Sequence, residues 1–402
     1  MRKSGWNISV NMQMKIKLIR TSTVPTSLTS FLNGVFEVLM SNYELLLVSS
    51  PGKELDELHN RYGVKTIGVS MQRRFSPLKD LISLWKLILV FHKEKPYMVH
   101  SMTPKAGLLC MLAAWITRVP RRVHTFTGLV WPTATGSTRK ILMATDWLTC
   151  ACATHIIPEG KGVMNDLQHI SHKPMKVLGY GNVRGVDMDY WRKTNASSNK
   201  LREIQRDDVF TFIFVGRIVR DKGINELIAA FDKLSQEHKV RLLLVGTFED
   251  ALDPVSESTK KIIEGNSSIE YLGPQYGTDL LACYAASDCF VFPSYREGFP
   301  NTVLEAGAME LPSIVTDING SREIIVCKNE ENTSPIKDMK LCDNGIIIPS
   351  RNEDLLYKAM EEIFKNDNVR AMMASQAREM VATRFEQSFV QKCLLDFYEE
   401  II

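Results

Sequence analysis

The stretch Phe290–Ile325, FVFPSYREGFPNTVLEAGAMELPSIVTDINGSREII, decides how the chain is read. The apolar run Cys289 to Phe292 predicts a buried strand. A short polar turn follows and carries Glu297. Gly298 and Pro300 punctuate the chain, and Asn301 to Met309 has a helical pattern. Glu305 then lies a little over one turn into that helix. The free backbone N–H groups of Asn301, Thr302 and Val303 at the helix start are expected to face the cleft. Such a terminus carries roughly +0.5 of a charge, which suits a diphosphate. A carboxylate binds a hydroxyl pair of a sugar or a ribose, so two carboxylates eight positions apart can hold the two ends of a nucleotide-sugar.

The same string resembles the donor-site signature of retaining glycosyltransferases of family 4, the two-domain GT-B type. That pattern is a Glu, seven residues, then a second Glu, with E-G-F-P at the first and E-A at the second. It stands as Glu297-Gly298-Phe299-Pro300 and Glu305-Ala306, with a second short strand, Pro312 to Thr316, after it. The resemblance implies an α/β fold of two Rossmann-like doubly wound domains facing across a cleft. It implies that Glu297 holds the donor sugar and Glu305 the ribose, with Gly298, Phe299 and Pro300 lining the same site.

Upstream, Phe210 to Val215 reads as a strand, followed by Gly216-Arg217-Ile218-Val219-Arg220-Asp221-Lys222-Gly223 and a helix from Ile224 to Ser235. This resembles the family's G-R-x-x-x-x-K-G. Arg217 and Lys222, turned in by Gly216, would then reach the two phosphates. Two fixed cations stabilise a departing nucleoside diphosphate, so no metal and no further cofactor is expected. In the family the turn matching Pro274 to Tyr276 lies beside the base, which makes Gln275 and Tyr276 base contacts. His124 to Trp131, HTFTGLVW, resembles the loop that faces the sugar, with His124 or Thr127 as the reacting-centre residue. A lone His on a strand also reads as a core histidine, and the register stays open.

The bulk composition agrees with an enzyme of this size. At 402 residues, 45% hydrophobic and 24% charged, the chain can bury two cores. Eight Cys are scattered without a C-x-x-C pair, and Cys150 and Cys152 sit in an apolar segment, which suggests buried thiols in a reducing compartment. The first 13 residues read as a loose leader without a signal-peptide core, and no apolar run reaches the roughly 18 residues of a membrane span. The net charge of +3 conceals an asymmetry: residues 1–200 hold 27 Lys/Arg and 12 Asp/Glu (+15), and residues 201–402 hold 22 and 34 (−12). A basic first half suggests an anionic partner.

Strands are expected at Lys15 to Ile19, Tyr43 to Ser49, Val64 to Val69, Pro96 to His100 and Val123 to Thr127. Between them, Thr21 to Thr29 is a Ser/Thr/Pro loop whose Thr26 or Ser27 caps a helix running to Met40. Ser101 to Lys105 is a second loop. Leu78 to Phe91 follows Arg73-Arg74 and carries Trp85 and Lys86. It reads either as a packing helix or as an interfacial helix on anionic lipid. Arg118, Arg121 and Arg122 end a second apolar helix, Ala106 to Thr117. Gly179-x-Gly181 lacks the third glycine of a dinucleotide fingerprint. Asp187-Met188-Asp189 has the D-x-D form of a metal motif, but N-V-R-G-V-D resembles the family's N-G-V-D turn, which makes Asp187 a turn cap. The acidic loop Phe248 to Pro254 has no assigned role, and Lys328 to Asp343 reads as a polar insertion.

These signals divide the chain into an acceptor-binding domain (14–190), a linker (191–208), a nucleotide-sugar domain (209–385) and a last helix (386–402) that GT-B proteins send back to the first domain. The function expected is transfer of a sugar from a nucleotide-sugar, a UDP- or GDP-sugar with UDP favoured by family frequency, to a saccharide acceptor. The basic half with its apolar helices suits a polyprenyl-diphosphate-linked acceptor. That places the enzyme in bacterial capsule or related polysaccharide synthesis, peripheral on an anionic membrane surface at the cytoplasmic face of the inner membrane, with no nucleic-acid partner. A soluble acceptor, a non-catalytic nucleotide-sugar-binding or scaffold protein, and another GT-B enzyme such as a sugar-nucleotide epimerase are the alternatives.

Overall fold

A computed structural model describes residues 15–72, 76–251, 253–327 and 336–402. The leader, Arg73-Arg74 and the first part of the polar insertion lie outside the described residues. Six strands form the first sheet: β1 (Lys17–Thr21), β2 (Glu44–Ser49), β3 (Lys65–Gly68), β4 (Met98–Met102), β5 (Arg121–Phe126) and β6 (His155–Pro158), in the order β3-β2-β1-β4-β5-β6. β1 pairs in parallel with β2 and β4, and β2 with β3. Runs such as Leu45–Val48 are buried throughout, as a parallel sheet covered on both faces requires.

Seven strands form the second sheet: β7 (Phe210–Val215), β8 (Val240–Val245), β9 (Ile269–Gly273), β10 (Cys289–Phe292), β11 (Ser313–Thr316), β12 (Lys340–Cys342) and β13 (Gly345–Ile348). Their order is β12-β13-β11-β10-β7-β8-β9. All pairings are parallel except β12, which runs antiparallel on the edge of β13. The order reverses between β7 and β10. In a doubly wound sheet the ligand crevice opens at that reversal, beyond the carboxyl ends of the two strands. The loops after β7 and β10 are the two glycine-bearing loops singled out in the sequence. Beneath them Phe214, Phe292 and Phe290 stack, at 5.9 and 5.7 Å between ring centres.

By packing, the chain divides into two compact units. One holds the residues through His124 with Ala151–His155. The other holds Thr125–Cys150 and Ile156–Ile402. Residues 125–150 and 156–190 therefore belong, by contact, with the second sheet. The linker is partly helical (Ser198–Ile204), with Ser197 capping the Lys200 N–H at 3.3 Å. The last helix, Gln387–Ile401, lies against residues 176–186. Val186 N–H donates to Phe385 O at 2.8 Å, Gln387 N–H donates to Val186 O at 3.0 Å, and Lys176 pairs with Glu400.

Several expectations need correction. β1 begins two residues later than the alternation suggested and runs through Arg20 and Thr21, both buried. The helix expected up to Met40 is two, Pro25–Leu32 and Phe36–Asn42, and its start is set by Pro25 at the first position rather than by a cap from Thr26 or Ser27. Ser101 and Met102 belong to β4, and the helix Pro104–Ile116 starts directly after Thr103. The insertion contains β12, whose Cys342 is joined to Cys327 by a disulfide. Of the remaining cysteines, Cys110, Cys150, Cys152, Cys283 and Cys289 are buried thiols as expected.

In the first unit the helix Pro77–Glu94 packs by one face and leaves an apolar face exposed. Ser83, Leu87, Phe91 and Glu94 are buried. Leu78, Leu81, Ile82, Trp85 and Leu89 are more than half exposed on the other side, beside exposed Lys79, Lys86 and Lys93. Among the described residues no helix is long and apolar enough to cross a membrane.

Candidate active site

The site is assembled in the second unit from the loops after β7 and β10. Gly216 has φ of 157° at the end of β7, and its carbonyl would lie 1.8 Å from a Cβ on Gly246, so these two loops touch backbone to backbone. A short turn, Arg220–Lys222, follows, and Gly223 at φ 70° leads into the helix Ile224–Glu237. A side chain at Gly223 would meet Pro293 O at 2.1 Å. That close approach lays the β7 loop on the β10 loop. Tyr295 N–H donates to Asp221 O at 2.9 Å, and Arg296 Nη2 donates to Asp221 Oδ2 at 2.7 Å.

Lys222 and Glu297 meet at this junction. Lys222 Nζ is in direct contact with Glu297 Oε1 and stands 5.2 Å from the centre of the Phe292 ring. Ser294 Oγ donates to the same carboxylate oxygen at 2.7 Å. Both side chains are about 15% exposed, so the pair is largely shielded yet reachable. Arg217 is half exposed and donates from Nη1 to Glu249 Oε2 at 2.7 Å. The acidic loop thus acquires a role: Glu249 holds Arg217, and Asp253 accepts from Arg220 Nε at 3.2 Å and from the Asp221 N–H at 2.7 Å.

The helix Asn301–Ala308 begins after Pro300 without a side-chain cap. Among the described residues the N–H groups of Asn301 and Thr302 have no acceptor. That of Val303 has one, because it donates to Pro300 O at 3.2 Å, which corrects the three-donor expectation. Glu305 is buried and accepts from Arg184 Nη2 at 3.1 Å and from the Tyr284 hydroxyl at 3.4 Å. Burial pushes its pKa above the usual range, opposed by Arg184. Asn182 Nδ2 donates to Asn301 Oδ1 at 3.0 Å, and its own Oδ1 accepts the Arg184 and Gly185 N–H groups at 2.9 and 2.7 Å. Gly298 packs against the loop after β5, where a Cβ would lie 2.2 Å from Thr127 O. Phe299 is buried against Gly181 and Phe385.

The other residues singled out in the sequence lie away from this junction. His124 belongs to the first unit, fully buried on β5, where Ser101 Oγ lies 2.8 Å from its Nδ1 and its ring fills the space a Cβ on Gly107 would need. Burial drives its pKa down to about 3, so the ring is neutral and packs as a core histidine. Tyr276 is 78% exposed, and Gln275 turns its amide back to Leu272 O at 2.6 Å, so neither is fixed toward the Lys222–Glu297 pair. Asp187 caps a turn, accepting the Asp189 and Tyr190 N–H groups at 3.0 and 2.9 Å, while Asp189 pairs with Arg192 on the surface.

Two family models match the chain: "Glycosyl transferase 4-like" over residues 29–156 and "Glycosyl transferases group 1" over residues 197–380. The capsular polysaccharide biosynthesis glycosyltransferase CapM of Staphylococcus aureus is 31% identical over 398 residues, 96% of this chain and 97% of that protein. The chain is a group 1 glycosyltransferase. A second relative of this glycosyltransferase is the UDP-Gal:alpha-D-GlcNAc-diphosphoundecaprenol alpha-1,3-galactosyltransferase of Escherichia coli, 26% identical over 92% of this chain and 93% of that one. Among solved structures, Anabaena Alr3699/HepE in complex with UDP superposes with a TM-score of 0.75 at 17% identity, covering 96% of this chain and all of that one. WaaG, a glycosyltransferase of lipopolysaccharide biosynthesis, gives 0.68 at 14% identity over 93% and 98%. These likenesses establish the GT-B fold.

Three residues of the glycosyltransferase escaped the sequence reading. Arg184 and Asn182 lie more than a hundred positions from their partners Glu305 and Asn301, and only the G-N-V-R-G string hinted at them. The third is Glu159. It is a buried carboxyl just beyond β6, before the helix Lys161–Gln168. Burial and the negative charges of Glu297 and Glu323 push its pKa up to about 8.

Proposed function

We propose that this glycosyltransferase moves a sugar from a UDP-sugar to a lipid-linked saccharide acceptor, with retention of anomeric configuration, during synthesis of a bacterial surface polysaccharide. The observation that carries the reading is the shielded contact of Lys222 with Glu297 beside the open Asn301 and Thr302 N–H groups. A diphosphate entering there finds one ammonium and two aligned backbone donors. Lys222 exchanges a carboxylate for a phosphate oxygen, and that frees Glu297 to accept hydroxyls of the transferred sugar. Arg217, held only by the half-exposed pair with Glu249, swings to the second phosphate. As the glycosidic C–O bond breaks, charge builds on the diphosphate and these cations stabilise it. The departing phosphate oxygen takes the acceptor proton on the same face of the sugar. Glu305, fixed by Arg184, holds the ribose.

The Escherichia coli galactosyltransferase named above supports both the UDP-sugar donor and the lipid-linked acceptor, and the N,N'-diacetylbacillosaminyl-diphospho-undecaprenol alpha-1,3-N-acetylgalactosaminyltransferase of Campylobacter jejuni, 21% identical over 94% of this chain, supports the acceptor. The exposed apolar row from Leu78 to Leu89 with its lysines suits an anionic bilayer surface.

The test is nucleoside diphosphate release from a panel of UDP- and GDP-sugars, with membrane lipid extract and EDTA present. Lipid-dependent release from one UDP-sugar, lost in Glu297→Ala, is the expected result. Release that does not depend on lipid defeats the acceptor assignment, and tight nucleotide binding without any release defeats the transferase reading. Replacing Leu81 and Trp85 by serine is expected to reduce sedimentation with anionic vesicles and not with neutral ones.

A further inference from the structure

Glu159 is out of place as a structural residue. It is 3% exposed, yet among the described residues its carboxyl receives no hydrogen bond. Only its backbone is tied, with its N–H donating to Phe126 O at 3.0 Å and its carbonyl accepting the Asn182 N–H at 2.7 Å. The side chain is nearly closed in, yet its carboxyl oxygens are not among the fully enclosed atoms, so a ligand can complete their hydrogen bonding. The surroundings are arranged around this position. Glu323, just beyond it, is fully engaged, accepting the Lys161, Gly162 and Gly320 N–H groups at 2.7, 2.9 and 3.3 Å. Glu297 is engaged by Lys222 and Ser294. Glu159 is the member of the three left with its hydrogen-bonding capacity unspent.

We propose that Glu159 is a sugar-contacting residue, a carboxylic acid that donates its O–H to an oxygen of the transferred sugar beside Glu297. This rests on the donor reading given above. The division of labour is chemical. Glu297, released by Lys222 to the diphosphate, accepts from sugar hydroxyls. Glu159 faces Glu297 and Glu323 with no cation of its own, and it stays neutral through pH 7 because burial and those two charges raise its pKa to about 8. A neutral acid next to a carboxylate grips a hydroxyl as acceptor and as donor, which neither group does alone. Above pH 8 Glu159 ionises, loses its donor and adds a negative charge, so affinity for the sugar part falls as pH rises through that value.

Isothermal titration of the full chain with UDP, UDP-glucose, UDP-galactose and UDP-N-acetylgalactosamine, and with GDP against GDP-mannose, tests this. The wild type is expected to bind one nucleotide-sugar more tightly than its free nucleotide, with the advantage shrinking between pH 7 and 9. Glu159→Ala is expected to weaken that nucleotide-sugar about tenfold, a lost hydrogen bond to a buried group, and to leave free nucleotide affinity within about twofold. Glu159→Gln, which keeps a neutral donor, is expected to recover most of the loss and to abolish the pH dependence. Equal weakening of nucleotide-sugar and free nucleotide in Glu159→Ala would mark a structural role and overturn the proposal. So would an unchanged pH profile in Glu159→Gln. Failure of the wild type to bind any nucleotide would instead remove the donor reading, and this inference with it.

Discussion

The loops after β1 and β7 hold the same position in their two sheets, each at the strand where the order reverses, yet they are built from different chemistry. The β1 loop is uncharged and is tied to itself and to the loops after β2 and β4. Ser22 Oγ donates to Val24 O at 2.7 Å, Ser50 Oγ donates to Thr23 O at 2.7 Å, and the Thr23 and Thr103 hydroxyls share a bond of 2.8 Å. The β7 loop carries Arg217, Arg220 and Lys222, each pinned by a carboxylate from another loop. Equivalent backbone geometry therefore says where a ligand can enter, while the side chains say which ligand. One loop has spent its hydrogen bonds on neutral neighbours. The other holds cations in pairs that an incoming polyanion can exchange.

The sharpest way to break this contrast is Lys222→Ala. It removes the cation of the β7 loop and is expected to lower transfer about a hundredfold to a thousandfold, read as nucleoside diphosphate release under saturating acceptor. A Lys222→Ala enzyme within tenfold of wild type would mean that the charged loop is not the working one. Arg184→Ala comes next. It leaves Glu305 buried without its cation and is expected to cost about 2 kcal/mol in urea unfolding at pH 7, protonation of Glu305 limiting the loss. Because burial already raises the Glu305 pKa, the loss should shrink as the pH is lowered toward 5.

Glu159→Gln should have the opposite sign. The folded protein holds a proton on Glu159 up to about pH 8, whereas the unfolded chain releases it near 4.5. Wild-type stability therefore falls as pH rises through that window, and the glutamine variant lacks this slope. It is expected to be more stable by roughly 4 kcal/mol at pH 8 and equal near pH 4, by thermal melts across the range. The smallest effect belongs to the quiet loop. Thr23→Val should cost about 1 kcal/mol of stability and leave UDP affinity within about twofold. A large loss of UDP binding there would erase the distinction between the two loops.

Much of this was legible in the chain. CFVF could only be a short buried strand, and E-G-F-P with E-A fixed the loop and helix that follow. The β7 loop was equally plain, because glycines and cations at set spacing have few other uses. The failures have physical causes. Arg20 looked like the end of β1, but its stem and head are buried, so the strand runs on. β12 is three residues long and exists only by pairing with β13, so nothing local announces it. His124 reads from the sequence as either a sugar-facing or a core histidine, and it is the core one because the glycine at 107 makes room for its ring under a helix. Arg184, Asn182 and Glu159 acquire their roles through partners far along the chain, which no local pattern encodes.

Glu323 serves two masters. It closes the first turn of its own short helix and, through the Lys161 and Gly162 N–H groups, the start of a helix some 160 positions upstream. With Arg184 on Glu305 and the last helix bedded on residues 176–186, it means that the catalytic half is not a cassette that begins at residue 197. Halves exchanged between relatives at the polar linker would separate each of these partners from its mate. A chimera joined near residues 124 and 125 keeps these partners together.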